Sequence, residues 1–240
     1  PVAKIKPINI GGVVVSNATL HNEEEIIRKD IRLGDTVLIE RAGDVIPHVI
    51  SVDLKERGNN SSKFKFPIKC PSCGSKTIKE YNMTTKKNDA VRRCSSAGYE
   101  CEKVAIEKIK HFVSKEALNI EGFGKKIVES FWKINLIRFP QDIFNLNFDK
   151  IEKLEGWGKQ SARNLKYSID QKKKVSFERF IYSLGIRHIG LENAKTLSKY
   201  FKSLPNFLSL SVKGHFNELL NIDGIGETQV NSIKIFFSNK

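Results

Sequence analysis

The spacing of hydrophobic residues changes character partway along the chain. Up to residue 68 they come in short runs: Val13-Val14-Val15, Thr36-Val37-Leu38-Ile39 and Val49-Ile50-Ser51-Val52. Leu33-Gly34-Asp35 and Ala42-Gly43-Asp44 punctuate these runs as turns, so the runs predict short strands. Residues 22–29 predict one short helix, with Asn22 as its cap and Glu23 to Glu25 in its first turn. Short strands, one helix and glycine turns predict a small β-barrel over residues 1–68, of OB-fold or SH3-like type. From residue 104 onward the spacing becomes helical, as in Ala105, Ile109, Phe112 and Val113.

The helical part repeats itself. Ile120-Glu-Gly-Phe-Gly124, Leu154-Glu-Gly-Trp-Gly158, Ile186-Arg-His-Ile-Gly190 and Ile222-Asp-Gly-Ile-Gly226 align without gaps. Four residues after each final glycine stands a small apolar residue (Val128, Ala162, Ala194, Val230). Seven after it stands a large one (Phe131, Leu165, Leu197, Ile233). These spacings fall on one helical face. Each unit therefore reads helix, tight hairpin, helix, the pattern of the helix-hairpin-helix DNA-binding motif.

The hairpin must reverse the chain in a few residues, which calls for φ > 0 and favours glycine. Its final glycines, Gly124, Gly158 and Gly226, are expected to share that need. The middle apolar residue plugs the turn. The N–H groups of hairpin and helix start are expected to stand without partners, as a cradle for a DNA phosphate. Gly122, Gly124, Gly156, Gly158, Gly190, Gly224 and Gly226 form this candidate interface, with Lys125 and Lys159 adding charge. In the third copy His188 replaces the first glycine, and its phosphate contact is the least secure. Backbone contacts of this kind are sequence-independent and salt-sensitive.

Charge sharpens the picture. The chain has 41 Lys+Arg against 27 Asp+Glu, a net of +14. Residues 1–68 carry a net of only +1, residues 69–103 +4 and residues 104–240 +9. The surplus thus follows the repeats and suits a polyanion. The longest uncharged stretch, 7–22, is too polar to cross a membrane, and the N-terminus lacks an apolar secretion core. The sole methionine is Met83, so the sequence reads as an excerpt of a longer chain.

Cys70, Cys73, Cys94 and Cys101 form a Cys-Pro-Ser-Cys-Gly knuckle followed by a second, more widely spaced pair. This pattern predicts a structural tetrathiolate zinc site over residues 69–103. Four thiolates leave no open coordination position for catalysis, and Lys69, Arg92, Arg93 and Lys103 can offset their charge. Disulfides fit poorly without a secretion signal. His111 lies on a helical pattern, as a surface or core residue.

Taken together, these strings resemble the C-terminal half of bacterial NAD-dependent DNA ligase. The resemblance is carried by Gly12-Val-Val-Val-Ser-Asn-Ala-Thr-Leu-His-Asn22, Leu33-Gly-Asp-Thr-Val, Arg41-Ala-Gly-Asp-Val-Ile-Pro47, the cysteine knuckle, Lys110-His-Phe-Val-Ser114 and Tyr182-Ser-Leu-Gly-Ile-Arg187. It implies a multidomain chain: an OB-fold (1–68), a four-cysteine zinc finger (69–103) and an all-α domain of four helix-hairpin-helix motifs (104–240). The family seals nicks in duplex DNA, with NAD as the source of AMP and with Mg in the parent enzyme.

Its nucleophile string, Lys-x-Asp-Gly, has no counterpart here. Asp-Gly occurs only at 223–224, where Asn221 holds the lysine position. The adenylation and nicotinamide-recognition domains, and a C-terminal BRCT domain, are expected to lie outside this chain. By the same resemblance Arg41 contacts backbone phosphate, and Val45 and Ile46 press on the minor groove. Without the family, Val45 and Ile46 read as strand core. The implied partners are nicked double-stranded DNA and an upstream adenylation domain, in a cytoplasmic, nucleoid-associated monomer with no membrane role. The alternatives are a stand-alone, non-catalytic DNA-repair or junction-binding protein, and a zinc-ribbon component of transcription or RNA processing.

Overall fold

The computed structural model describes residues 1–42, 46–82 and 85–238. They divide into a β-rich unit, of Pro1–Pro71, Ser75–Asn82 and Lys86–Ser95, and a helical unit that runs from Ser96 and also takes in Ser72–Gly74.

The β-rich unit opens with strands β1 (Val2–Ile10) and β2 (Val13–Thr19), followed by helix α1 (Glu23–Arg28). Then come β3 (Arg32–Leu33), β4 (Val37–Ala42), β5 (Ile46–Val52) and β6 (Ser62–Lys63). The main sheet has the order β1-β2-β5-β4, a half-barrel, and β3 pairs with β6. β1 was not readable from the sequence, because Pro7 interrupts its alternation; the β1–β2 register shifts between Lys4 and Ile8. α1 is capped as expected, with Asn22 Oδ1 accepting from the Glu25 N–H at 2.9 Å.

Few apolar residues are buried in this unit among those described: Val15, Ala18 and Val49 on the sheet and Ile26 on α1. Polar ties supplement so small a core. The Arg57 guanidinium donates to both Asp35 carboxylate oxygens at 2.9 Å and to Asp30 Oδ2 at 2.7 Å. The Arg32 N–H also donates to Asp35 Oδ2, at 2.7 Å. Only 1% of the Asp35 side chain is exposed. Burial would raise its carboxyl, but Arg57 and the Arg32 N–H outweigh that and hold it below its ordinary value. Asp30, bonded to Arg32 and Arg57, is held down to about 2.

A second hairpin, β7 (Thr77–Asn82) with β8 (Lys87–Cys94), completes this unit. It packs against α1 through charge. Arg92 grips Glu23 with two hydrogen bonds, at 2.8 and 3.1 Å, and Lys79 lies 3.1 Å from the same carboxylate. These bonds, Arg92 first, hold the Glu23 carboxyl below its ordinary range. Arg93 pairs with Asp89 at 3.1 Å. Both arginines expected to offset the charge of the cysteine cluster are therefore engaged with carboxylates.

The helical unit contains α2 (Glu102–Val113), α3 (Lys125–Lys133), α4 (Phe148–Ile151), α5 (Lys159–Gln171), α6 (Phe177–Ser183), α7 (Leu191–Phe201), α8 (Leu204–Leu208), α9 (Leu210–Lys213) and α10 (Glu227–Ser238). It has two separate apolar cores. One runs from Ala105 to Ile169 and the other from Ile181 to Ile233, so each holds two hairpins. The residues four and seven positions after each final glycine are all buried, as the helical spacing predicts.

The helices that precede the hairpins are unequal. α2 and α6 are regular, α4 is a single turn, and a 3-10 segment, Phe216–Asn221, precedes the fourth hairpin. The two cores are joined by polar contacts. His111 Nε2 lies 2.8 Å from the Tyr182 carbonyl oxygen, and Arg179 Nε donates to the Ala117 carbonyl at 2.7 Å. A side chain at Gly185 (φ +63°) would meet the His111 ring at 3.3 Å. Two of the strings that carried the family resemblance thus meet at this joint.

Candidate nucleic-acid interface and metal centre

All four hairpins are built on one hydrogen-bond plan. The middle residue donates back three positions: Phe123 to Ile120, Trp157 to Leu154, Ile189 to Ile186 and Ile225 to Ile222, at 3.0–3.2 Å. The residue before each middle residue has positive φ: Gly122 +76°, Gly156 +77°, His188 +60° and Gly224 +79°. Such a turn requires φ > 0 at its third position, which glycine supplies without strain. His188 keeps the same conformation, and its Nδ1 lies 2.9 Å from Ser232 Oγ on α10. That bond ties the third hairpin to the last helix. The plugs Phe123, Ile189 and Ile225 are buried, and Trp157 is half-buried.

The final glycines do a different job from the one expected of them. Gly124 (φ −78°), Gly158 (−153°) and Gly190 (−80°) are extended N-cap residues with no left-handed strain. The carbonyls of Gly124, Gly158, Gly190 and Gly226 accept the first helical bond, at 2.9–3.1 Å. A Cβ at Gly124, Gly158 or Gly190 would meet nothing within 4 Å. The chain's own packing therefore does not demand glycine there, and the space beside these caps is open.

The N–H groups also differ from expectation, because two of them have partners. Gly158 donates to Ser161 Oγ at 2.9 Å, and Gly226 to Gln229 Oε1 at 3.2 Å.

Charge separates the pairs. Lys125 and Lys126 open α3 and Lys159 opens α5, all exposed. Lys125 is 3.9 Å from Glu129, an exposed pair that holds it weakly. In contrast, α7 opens with Leu191 and Glu192, and α10 with Glu227. A cavity of about 330 Å³ lies at the first hairpin, lined by Lys110, Ser114, Lys115, Asn119, Gly124 and Lys125 among others. Three lysines and a helix start line it, an electropositive setting for an anion, although the Lys110 ammonium is paired with Glu107.

On the half-barrel, Arg41 is half-buried on β4, opposite Pro47. Ile46 begins β5 and is 58% exposed, so it is not strand core. Val45 lies outside the described residues.

The four cysteine sulfur atoms lie within 4.8 Å of one another. Tetrahedral thiolate coordination at about 2.3 Å per bond needs sulfurs roughly 3.8 Å apart, so this donor set fits a metal ion of that geometry. Local backbone supports the knuckle. The Cys70 N–H donates to the Ser75 carbonyl at 2.7 Å, and Gly74 takes φ +76°. Cys101 is the N-cap of α2 and is buried. The loop before it is pinned by Lys108, whose Nζ donates to the Gly98 carbonyl at 2.8 Å and lies 5.0 Å from the Tyr99 ring centre. Tyr99 in turn packs edge-on against Phe139. This anchored loop lies within the wider spacing between Cys94 and Cys101. The spacing alone pointed to the four clustered cysteines; the Lys108 and Tyr99 anchor left no signal in it.

Residues 1–61 match the family NAD-dependent DNA ligase OB-fold domain, and residues 179–240 match the helix-hairpin-helix motif. Over its full length the chain is 70% identical to a DNA ligase of Pelagibacter ubique, covering 36% of that protein. It is 42% identical to a DNA ligase of Xanthobacter autotrophicus over 99% of the chain, and 45% identical to one of Rickettsia bellii over 100% of it, covering 35% and 36% of those proteins. The chain thus spans about a third of the length of the curated relatives it matches. It is homologous throughout to a segment of bacterial DNA ligases, and it carries the OB-fold domain of the NAD-dependent class and a helix-hairpin-helix region.

Proposed function

We infer that this chain is the DNA-gripping part of an NAD-dependent DNA ligase that seals nicks in duplex DNA during replication and repair. The observation that carries this reading is the shared plan of the four hairpins, each presenting an N-cap glycine; at three of them the space around that glycine is open. A phosphate oxygen can approach such a cap closely, where helix N–H groups and the following lysines favour it. The first hairpin is the strongest anchor. Lys110, Lys115 and Lys125 surround it, and no side chain caps its helix.

Arg41 adds a phosphate contact from the half-barrel. Ile46, exposed at the start of β5, adds an apolar contact in the minor groove together with Val45. Gly156, Gly158 and Lys159 form the second contact, and Gly190, Gly224 and Gly226 weaker ones.

Cys70, Cys73, Cys94 and Cys101 would hold zinc. The metal would replace a hydrophobic core in a module too small to build one. The domains are 1–68, 69–103 and 104–240. Adenylation, NAD binding and Mg-assisted chemistry belong to an upstream domain of the parent chain, which acts as a monomer at the bacterial nucleoid in the cytoplasm. In this chain Asp223-Gly224 follows Asn221 and not a lysine, so the adenylated nucleophile is supplied from elsewhere.

The test is a binding comparison of intact and nicked duplexes with the purified chain, together with a ligation assay. The expected outcome is equal affinity for both duplexes and no sealing. Strong preference for the nick would overturn the division of labour, and absence of duplex binding would overturn the reading itself.

A further inference from the structure

Gly122 lines two cavities. One is the basic cavity of the first hairpin. The other, of about 690 Å³, reaches from Gly122 across to α5 and includes Trp157 and Tyr167 in its wall. α5 contributes Ser161, Asn164, Ser168 and Gln171, spaced three, four and three residues apart and so on one helical face. That row is uncharged in a chain where 28% of residues are charged. The charges of α5 at Lys159, Arg163, Lys166 and Asp170 do not line the cavity, where Glu121 and Lys172 are the charged residues.

The chemistry of this cavity differs from that of its neighbour. Amides, hydroxyls and aromatic rings offer little to a phosphate. They suit a flat heteroaromatic group that needs a stacking surface and edge hydrogen bonds, and the volume is that of a small-ligand site. Tyr167 is 67% exposed with no core role. Trp157 is only half-buried, its ring 5.5 Å from Phe131. Asn164 Oδ1 accepts from Gln160 at 2.8 Å, so its own amide hydrogens remain to donate.

We propose that this cavity takes a single unpaired nucleobase. The base belongs to the strand whose phosphate sits at the first hairpin; Gly122, shared by both cavities, puts that strand's base within reach. Tyr167 and Trp157 supply the stacking surface, and Asn164 and Gln171 the edge contacts. An already unpaired base avoids the cost of leaving a duplex stack, so it is the favoured occupant. The proposal rests on the DNA-gripping reading above and adds to it a site for bulged or displaced nucleotides.

The test uses the full chain and three duplexes of one sequence: fully paired, with one extra unpaired adenine, and with one extra abasic nucleotide. The abasic duplex shares the bend of the adenine bulge but lacks its base. The expected result is about tenfold tighter binding of the adenine bulge than of the abasic one, the scale of one stacked base. Tyr167→Ala and Asn164→Ala, both at exposed positions, should shrink that ratio while leaving the paired duplex bound as before. Equal binding of the two bulges overturns the proposal, as does a ratio that survives both substitutions. Failure to bind any of the three duplexes overturns the DNA-gripping reading instead.

Discussion

The two hairpin pairs of the helical unit share a backbone and differ in charge. Within each, the same turn bond, a left-handed residue at the same position and the same glycine cap recur. The first pair follows its caps with Lys125, Lys126 and Lys159, whereas the second follows them with Leu191, Glu192 and Glu227. Glu192 is itself paired with Lys195 at 2.7 Å. The turn thus joins two helices in the same way whatever charge follows it, and under the proposed function it is charge that would decide which copies grip. The second pair is tied by a polar bond, His188 to Ser232, where the first is tied by the rings of Phe131 and Trp157.

The largest test of this comparison is thermodynamic. Phe131 and Leu197 occupy the same repeat position in the two cores, and both are fully buried. Phe131→Ala should cost about 3–5 kcal/mol and Leu197→Ala about 2–5 kcal/mol. If the cores are independent, hydrogen exchange will show lost protection only in the half that carries the substitution. Loss across both halves would mean that the His111 and Arg179 joint makes them one cooperative body.

The next effect is on binding. Lys125→Glu with Lys159→Glu should weaken duplex binding about tenfold or more at moderate salt, because two cations near phosphate become anions. Circular dichroism should remain unchanged, since both side chains are exposed.

The glycines sharpen the comparison within one hairpin. Gly156→Ala places a side chain at φ +77° and should cost about 1–2 kcal/mol of stability, read by denaturant melting. Gly158→Ala fills open space at φ −153° and should change stability by less than about 0.5 kcal/mol. It should nonetheless weaken DNA binding, because the added methyl stands where the phosphate approaches. The smallest effect is a gain: Glu192→Lys with Glu227→Lys should tighten duplex binding by about threefold, by giving the second pair the charge of the first.

Much of this was legible in the sequence. The repeat spacing located the buried face of each helix that follows a hairpin, because burial of one helix face depends only on the period, but not the division into two cores. The cysteine spacing located the four-cysteine cluster. Four further features were not legible. β1 was hidden by Pro7, and the β7–β8 hairpin is half-exposed and too polar to show alternation. The division of labour between the glycines was also hidden, because spacing cannot distinguish a residue that needs positive φ from one that merely leaves room. Asp35 and Arg57 stand 22 residues apart, and only the folded chain shows that the Leu33-Gly-Asp-Thr-Val string is a structural knot.

The most direct measurement is duplex affinity across a salt series for three proteins: the unaltered chain, Lys125→Glu/Lys159→Glu and Glu192→Lys/Glu227→Lys. Grip by the first pair predicts a steep dependence for the unaltered chain. The slope should be shallower by about 2 in the first variant and no shallower in the second. Identical slopes for the unaltered chain and the first variant, or no duplex binding at low salt, would contradict it.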